Sequence, residues 1–338
     1  MKKSKNIFLK KKILIYGLGR TGISSFKFLK DKAHVYLFDD KKIIKNKINN
    51  KAISYKELSK KKFDKIIISP GIDISKCKLT KFLIKNFSKI YTDLDVFKSF
   101  YKNKSITITG TNGKSTTAKI LYDVLLDQKK DVRLVGNIGN PVLSERNITK
   151  KTIFVVEASS YQLEYSKIFS SKYAIILNLS ADHIERHKNL KNYVNAKFKL
   201  LDTQNKKCVA YVKKNDVLIN AKLKSKRFKS KIIKVDLEKN KNFFKKLNNS
   251  YFFNETNKEN LSFVLEISKK LKLKKNLIFK TIEKFKGLKY RQEVIYKKDN
   301  LTIINDSKST SFASTTGMLR ANSNIFWLVG GVYKKGDK

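Results

Sequence analysis

Two cysteines, Cys77 and Cys208, and two prolines are all that 338 residues contain of either type. Two distant cysteines build neither a disulfide framework nor a cysteine-type zinc site, so reduced thiols in a cytoplasmic protein are expected. Long apolar runs are missing too, and no stretch approaches the ~18 apolar residues of a membrane span. The apolar run 13–18 behind the basic N-terminus is too short for a secretory signal. It ends in a glycine turn with no small-residue cleavage site. Acidic residues are the largest deficit: 28 Asp+Glu face 76 Lys+Arg, a formal charge of +48. Such a balance would suit a nucleic-acid partner. The lysines are spread along the whole chain, however. Lys, Asn and Ile, all with A/T-rich codons, are abundant while Ala, Gly and Pro are scarce. Genome composition explains that bias better, so no specific nucleic-acid partner is expected, although loose polyanion binding follows from the charge alone. Repeats and low-complexity domains are absent as well.

What is present is organised around residues 105–121, Ser-Ile-Thr-Ile-Thr-Gly-Thr-Asn-Gly-Lys-Ser-Thr-Thr-Ala-Lys-Ile-Leu. Residues 106–109 alternate as a buried strand, and 110–113 form a turn that permits close backbone approach. From Ser115 onward the spacing predicts a helix with Ala118, Leu121, Leu125 and Leu126 on one face. Strand, glycine turn, Lys-Ser and helix make a phosphate-binding loop, in which backbone N–H groups and a helix N-terminus surround an anion. Lys114 would meet the β/γ-phosphates, and the Ser115 hydroxyl would ligate Mg²⁺. The general motif has a glycine five residues before Gly113; here that place holds Ile108.

Earlier in the chain, strands at 12–16 and 35–38 flank Gly17, Gly19 and Gly22, with Asp39 and Asp40 at the second strand's end. This is a βαβ unit with a dinucleotide fingerprint. A third strand, 63–68, ends in Ser69-Pro70-Gly71, where Ser69 is either a turn residue or a ligand contact. A polar break at 101–104 sets a domain boundary in the high 90s. Further strands are expected at 132–135, 152–156 and 173–177. Glu157, at the end of one, is either a strand-capping acid or a Mg²⁺ contact of the Walker-B kind. His183, one of three histidines beside His34 and His187, follows a strand and an acid and suits a metal or a phosphate. A helix covers 193–201. Strands at 208–212 and 232–235 lie in a lysine-rich stretch without evident chemistry. Helices at 257–270 and 277–285 follow, then strands at 301–304 and 325–329.

Together these blocks resemble the Mur ligase family of peptidoglycan synthesis, and most closely its D-glutamate-adding members. The resemblance rests on Gly110-Thr-Asn-Gly-Lys-Ser-Thr116, Gly136-Asn-Ile-Gly139 and Glu157-Ala-Ser-Ser-Tyr-Gln-Leu-Glu164. It continues through Asn178-Leu-Ser-Ala-Asp-His183, Tyr193-Val-Asn-Ala-Lys197, Tyr290-Arg-Gln-Glu293 and Asn305-Asp-Ser-Lys-Ser-Thr310. The loop alone would also fit the folate polyglutamate enzymes. The Asp306-Ser-Lys308-x-Thr310 block discriminates, because sister ligases carry an Asp-Asp-Tyr-x-His type of sequence there.

The resemblance implies an α/β, three-domain Mur ligase architecture. A Rossmann-like UDP-sugar domain would span 1–97 and a P-loop ATPase domain 98–287, with 288–338 beginning a Rossmann-like amino-acid domain. It implies an ATP-dependent ligase, with ATP and Mg²⁺ as cofactors, that joins D-glutamate to UDP-N-acetylmuramoyl-L-alanine through an acyl phosphate. The expected enzyme is a monomer. ATP would be held by Gly110, Thr111, Asn112, Gly113, Lys114, Ser115, Thr116, Asn257, Asn260, Arg291 and Asp306. The UDP-sugar would meet Gly17, Leu18, Gly19, Arg20, Thr21, Gly22, Asp39, Ser69, Gly71, Asn137, Ser159 and Gln162. Lys308, Thr310 and Lys334 would meet D-glutamate. Ser115, Glu157, His183 and a carbamoylated Lys197 would hold metal, with Lys114, His183 and Lys197 catalytic. Two departures, Thr256 for the usual His and Lys289-Tyr290 for Pro-His, fall on contacts to the ATP ring. Family members continue for roughly another hundred residues beyond Lys338, so the chain as it stands is expected to bind the UDP-sugar yet ligate poorly. The alternatives are a nucleic-acid-binding P-loop ATPase, from the charge, and a nicotinamide dehydrogenase, from the first fingerprint.

Overall fold

The structure, a computed structural model, describes residues 6–41, 51–309 and 312–331. The first layer begins with β1 (Lys12–Tyr16), α1 (Arg20–Leu29), β2 (His34–Phe38), α2 (Tyr55–Lys60), β3 (Lys65–Ile68), α3 (Thr80–Lys85) and β4 (Ile90–Tyr91). The strands pair in parallel in the order β2-β1-β3-β4. Residues 13–16 of β1 are all buried, as the continuous apolar run of a sheet covered on both faces requires. The chain leaves β1 toward β2 and returns on the other side to β3. The topological switch point therefore lies between β1 and β3, where ligands of open α/β sheets gather. Gly17 and Ser69 follow those two strand ends. The short β4 and helices α2 and α3 were not foreseen.

Next comes α4 (Asp93–Phe100), which runs across the expected boundary at 97. Its buried Asp95 accepts from the Thr92 amide at 3.0 Å, from Ser166 Oγ at 2.9 Å and from the amides of Lys167, Ile168 and Phe169 at 2.8–2.9 Å. The buried carboxylate is hydrogen-bonded from several sides, and it pins this helix to the following unit.

That unit comprises β5 (Lys104–Thr109), α5 (Lys114–Asp127), β6 (Val132–Gly136), β7 (Ile153–Glu157), α6 (Ser160–Glu164), β8 (Tyr173–Ile176), α7 (Ile184–His187) and α8 (Leu190–Asp202). Then follow β9 (Val209–Lys213), α9 (Val217–Ser225), β10 (Lys231–Val235), α10 (Lys241–Lys245), α11 (Glu255–Lys270) and α12 (Lys275–Glu283). Its six parallel strands run β10-β9-β8-β5-β7-β6. From β5 the chain goes out to β6, returns to β7 beside β5, then crosses to β8 on the other side. The carboxyl ends of β5, β7 and β8 thus converge on one crevice. Helix α5 buries Ala118, Leu121 and Leu125 in a core shared with α11 and α12. Leu126, expected on that face, is exposed; it stands about 100° round the helix from Leu125.

Last come β11 (Glu293–Lys298), β12 (Leu301–Asn305) and α13 (Phe312–Arg320). The two strands form an antiparallel hairpin. Residues 325–329 were expected as a strand and are not one: they are irregular, with Phe326 and Leu328 fully or almost fully exposed. A strand exists through its ladder, and no described segment pairs with this one.

Candidate active site

The loop between β5 and α5 is built by close backbone approach. Gly113 caps α5 at φ 81°, and a Cβ there would stand 2.1 Å from Asn260 Oδ1 on α11. Gly110 adopts φ 153°, with Leu177 packed where a side chain would point. Gly113→Ala should therefore cost about 1–3 kcal/mol in folding stability and weaken nucleotide affinity, both readable by urea denaturation and calorimetry. The end of β8 braces the loop. Thr111 N–H donates to the Asn178 carbonyl at 2.9 Å and Asn112 N–H to Asn178 Oδ1 at 2.8 Å. Thr111 Oγ1 lies 2.9 Å from the Tyr193 hydroxyl and accepts from Ser180 N–H at 3.0 Å. Asn178 and Tyr193 lie in blocks the sequence singled out, yet their bracing role was not read from it.

Two lysines converge on one carbonyl. Lys114 Nζ donates to the Gly110 carbonyl at 2.9 Å and to that of Thr111 at 2.6 Å. Lys197 Nζ reaches the same Gly110 oxygen at 2.7 Å and is 1% exposed. Burial pushes the Lys114 ammonium below the usual lysine range, against the pull of Glu157 and Asp182. Burial, then the charge of Lys114, pushes Lys197 much further down. Glu157 lies beside them, buried at the end of β7. Its Oε1 accepts from Asn137 Nδ2 at 2.8 Å, while Oε2 is buried without a hydrogen-bond partner. His183 enters α7 at φ 54°, 3.3 Å from Asp182 and 3.6 Å from Glu185, with its ring 4.9 Å from that of Tyr161. Among the described residues, no three His, Cys, Asp or Glu side chains cluster as a metal site.

Asn257 and Asn260 are buried on α11. Asn257 Nδ2 donates to Gln292 Oε1 at 3.0 Å, which ties the segment after residue 288 to α11, and within that segment Gln292 N–H donates to Asp306 Oδ1 at 3.1 Å. Arg291 is near enough to act electrostatically on Lys114. Ser115 and Thr116 lie in the first turn of α5, where the Thr116 side chain is close to the Tyr251 hydroxyl. Lys308 Nζ sits 5.3 Å over the Tyr290 ring. Thr310 and Lys334 lie outside the described residues.

At the first sheet, Gly17 turns at φ 89°, and a Cβ on Gly22 would stand 1.9 Å from its carbonyl, so α1 seats directly on the turn. Asp39 accepts from Leu18 N–H at 2.6 Å, and Ser69 Oγ donates to the Gly17 carbonyl at 2.6 Å. Of the two readings of Ser69, the structure shows the turn contact. Gly19 caps α1, Arg20 Nη2 reaches the Gly139 carbonyl at 3.3 Å, and the Thr21 carbonyl accepts from Ser24 and Ser25. The position of Gly71 is open. Ser159 and Gln162 form a reciprocal capping box on α6.

His187 is buried on α7, its Nε2 3.0 Å from Ser160 Oγ. Burial, then Arg186 and Lys197, lowers its pKa from 6.5 to about 4. A base with a lowered folded pKa is neutral in the fold, so between pH 6.5 and 4 the unfolded chain binds the extra proton. Stability should fall by about 2 kcal/mol between pH 7.5 and 5 on this account. Urea midpoints at both pH values should show a flatter decline for His187→Gln.

Two doubly wound parallel sheets, with a lysine-bearing phosphate loop and a buried strand-end glutamate at the second's switch point, define a nucleotide-handling α/β enzyme. The Mur ligase middle domain matches residues 108–281, and the Mur ligase MurD-like N-terminal domain matches 11–90. The UDP-N-acetylmuramoylalanine–D-glutamate ligase of Rickettsia bellii is 32% identical over 98% of this chain and 78% of its own. That of Francisella tularensis subsp. novicida is 33% identical over 96% and 75%. The chain belongs to the Mur ligase family. Solved structures share the fold at low identity. The UDP-N-acetylmuramate:L-alanyl-gamma-D-glutamyl-meso-diaminopimelate ligase of Neisseria meningitides aligns with TM-score 0.56 at 14% identity, covering 82% of this chain and 99% of that one. UDP-N-acetylmuramate-alanine ligase of Thermotoga maritima aligns at 0.53 and 15%, covering 92% and 77%.

Proposed function

We propose that this chain adds D-glutamate to UDP-N-acetylmuramoyl-L-alanine at the expense of ATP, as a cytoplasmic monomer in peptidoglycan precursor synthesis. The observation that carries the reading is the convergence of Lys114, Lys197 and the half-unpaired Glu157 on the Gly110–Lys114 loop. No helix among the described residues is long and apolar enough to cross a membrane.

A carboxylate and an ammonium do not condense unaided in water. In this reading the alanyl carboxylate attacks the γ-phosphorus of ATP, the bond to the β-phosphate oxygen breaks, and ADP leaves. The D-glutamate amine then attacks the acyl carbon, and the oxyanion collapses with loss of phosphate and of an amine proton. Such transfers depend on positioning and charge stabilisation. Lys114 would turn from its loop carbonyls to the β/γ-phosphates. Thr111, Asn112, Ser115 and Thr116 would line the phosphates; Asn257, Asn260, Arg291 and Asp306 would face the nucleotide. The unpartnered Glu157 Oε2 fits a cation, and with Ser115, His183 and Lys197 it would hold Mg²⁺. Magnesium takes one or two carboxylates together with substrate phosphates, which suits a site without a three-acid cluster. When bound, it neutralises charge on the transferring phosphoryl. Burial and Lys114 favour the neutral Lys197 amine, the form that adds CO₂ to give a carbamate ligand. The Gly17–Gly22 turn, Asp39, Ser69, Gly71 and Asn137 would take the UDP-sugar, with Ser159 and Gln162. Lys308, Thr310 and Lys334 would take D-glutamate. Phosphate release decides the reading: it should need the UDP-sugar, rise with D-glutamate, and ignore polynucleotide. Stimulation by polynucleotide without either substrate would overturn it.

A further inference from the structure

We propose that Arg186 is a positioning residue that sets the first sheet's ligand turn against the His183 turn of the second unit. The inference rests on the ligase reading above, in which the first turn takes the UDP-sugar and His183 helps hold Mg²⁺ beside the transferring phosphoryl. Arg186 lies three residues after His183, and its side chain is only 7% exposed. Its Nε and Nη2 donate to Glu164 Oε2 at 3.1 and 3.0 Å, and Nη2 also donates to the Ile72 carbonyl at 2.7 Å. The guanidinium lies 5.1 Å over the Tyr161 ring and 5.7 Å from that of Tyr165. Tyr161 in turn lies against the His183 ring at a tilt of 49°.

On the other side, Ile72 belongs to the turn after β3. Its amide donates to the Ser69 carbonyl at 3.0 Å, and its side chain packs where a Cβ on Gly17 would point. A continuous chain of contacts therefore runs from the Gly17 turn through Ile72 and Arg186 to His183. Lys76 Nζ adds a weaker tie to the Glu185 carbonyl at 3.3 Å. The fork is taken up by the Glu164 carboxylate and the Ile72 carbonyl, and it is through these two groups that Arg186 would act. A planar fork can serve a carboxylate and a carbonyl at once; a lysine, as a point charge on a flexible stem, cannot hold both in one geometry. Misplacing two reacting groups by about 1 Å costs on the order of a hundredfold in rate.

The test is Arg186→Lys in the full-length enzyme. UDP-sugar-dependent phosphate release should fall at least about tenfold in kcat. Dissociation constants for ATP and for the UDP-sugar, measured separately, should stay within about twofold, because each turn remains intact. Hydrogen exchange should quicken at residues 70–74 and 184–188 and nowhere else. An unchanged kcat with unchanged exchange would overturn the proposal. So would a tenfold loss of UDP-sugar affinity, which would make Arg186 a ligand contact. If Arg186→Lys does not fold, Glu164→Ala, which removes the acceptor at one end of the fork, decides by the same readouts. Wild-type enzyme that releases phosphate without the UDP-sugar would sink the ligase reading instead; the exchange experiment would still report on the tie.

Discussion

Lys114→Ala in the full-length enzyme should lower ATP-dependent ligation by about a thousandfold or more. The expectation follows from where the ammonium sits. It is half-buried at the carboxyl end of β5, held by two loop carbonyls 2.6 and 2.9 Å away. Neutral carbonyls compensate a buried charge only in part, so an incoming phosphate would be a better partner than the loop itself. On the proposed reading, removing Lys114 would leave the transferring phosphoryl without a fixed cation that the loop supplies. Lys119→Ala, on the same helix but paired with Asp123 at the surface, should leave turnover unchanged. Comparable turnover in Lys114→Ala would count against the phosphate-loop role.

Lys197→Met should separate stability from activity. The side chain is fully buried and its ammonium lies beside that of Lys114. A methionine of similar length removes an amine that is costly to bury whether neutral or charged. The urea midpoint should therefore stay level or rise, by about 1 kcal/mol, while ligation falls about a hundredfold or more for want of the carbamate. A structural lysine would lose both together. ¹³C-bicarbonate should enrich one carbamate resonance in the wild type that Lys197→Met lacks.

Much of this site was legible before any coordinates. The strand, turn and helix of 105–121, the acid ending β7 and the histidine after β8 are local patterns, and local patterns survive folding. Lys197 was different. Among so many lysines nothing in its spacing distinguished it; only the resemblance did, and its burial emerges when α8 packs against the loop. Tertiary contact also sets the partners of Asn137 and Ser69 within the fold. Their side chains turn to Glu157 and to the Gly17 carbonyl, partners 20 and 52 residues away. Arg186 was unreadable for the same reason: its carbonyl partner is 114 residues distant. The strand expected at 325–329 erred the other way, because a continuous apolar run marks a capacity to pair and not a partner.

The central claim is that the terminal phosphoryl of ATP passes onto the acid end of a second nucleotide. Ligation with UDP-N-acetylmuramoyl-L-alanine labelled with ¹⁸O in its carboxylate tests it directly. Phosphate released during turnover should carry one ¹⁸O atom, taken from the activated carboxylate. Product formed alongside phosphate wholly free of the label would contradict the account.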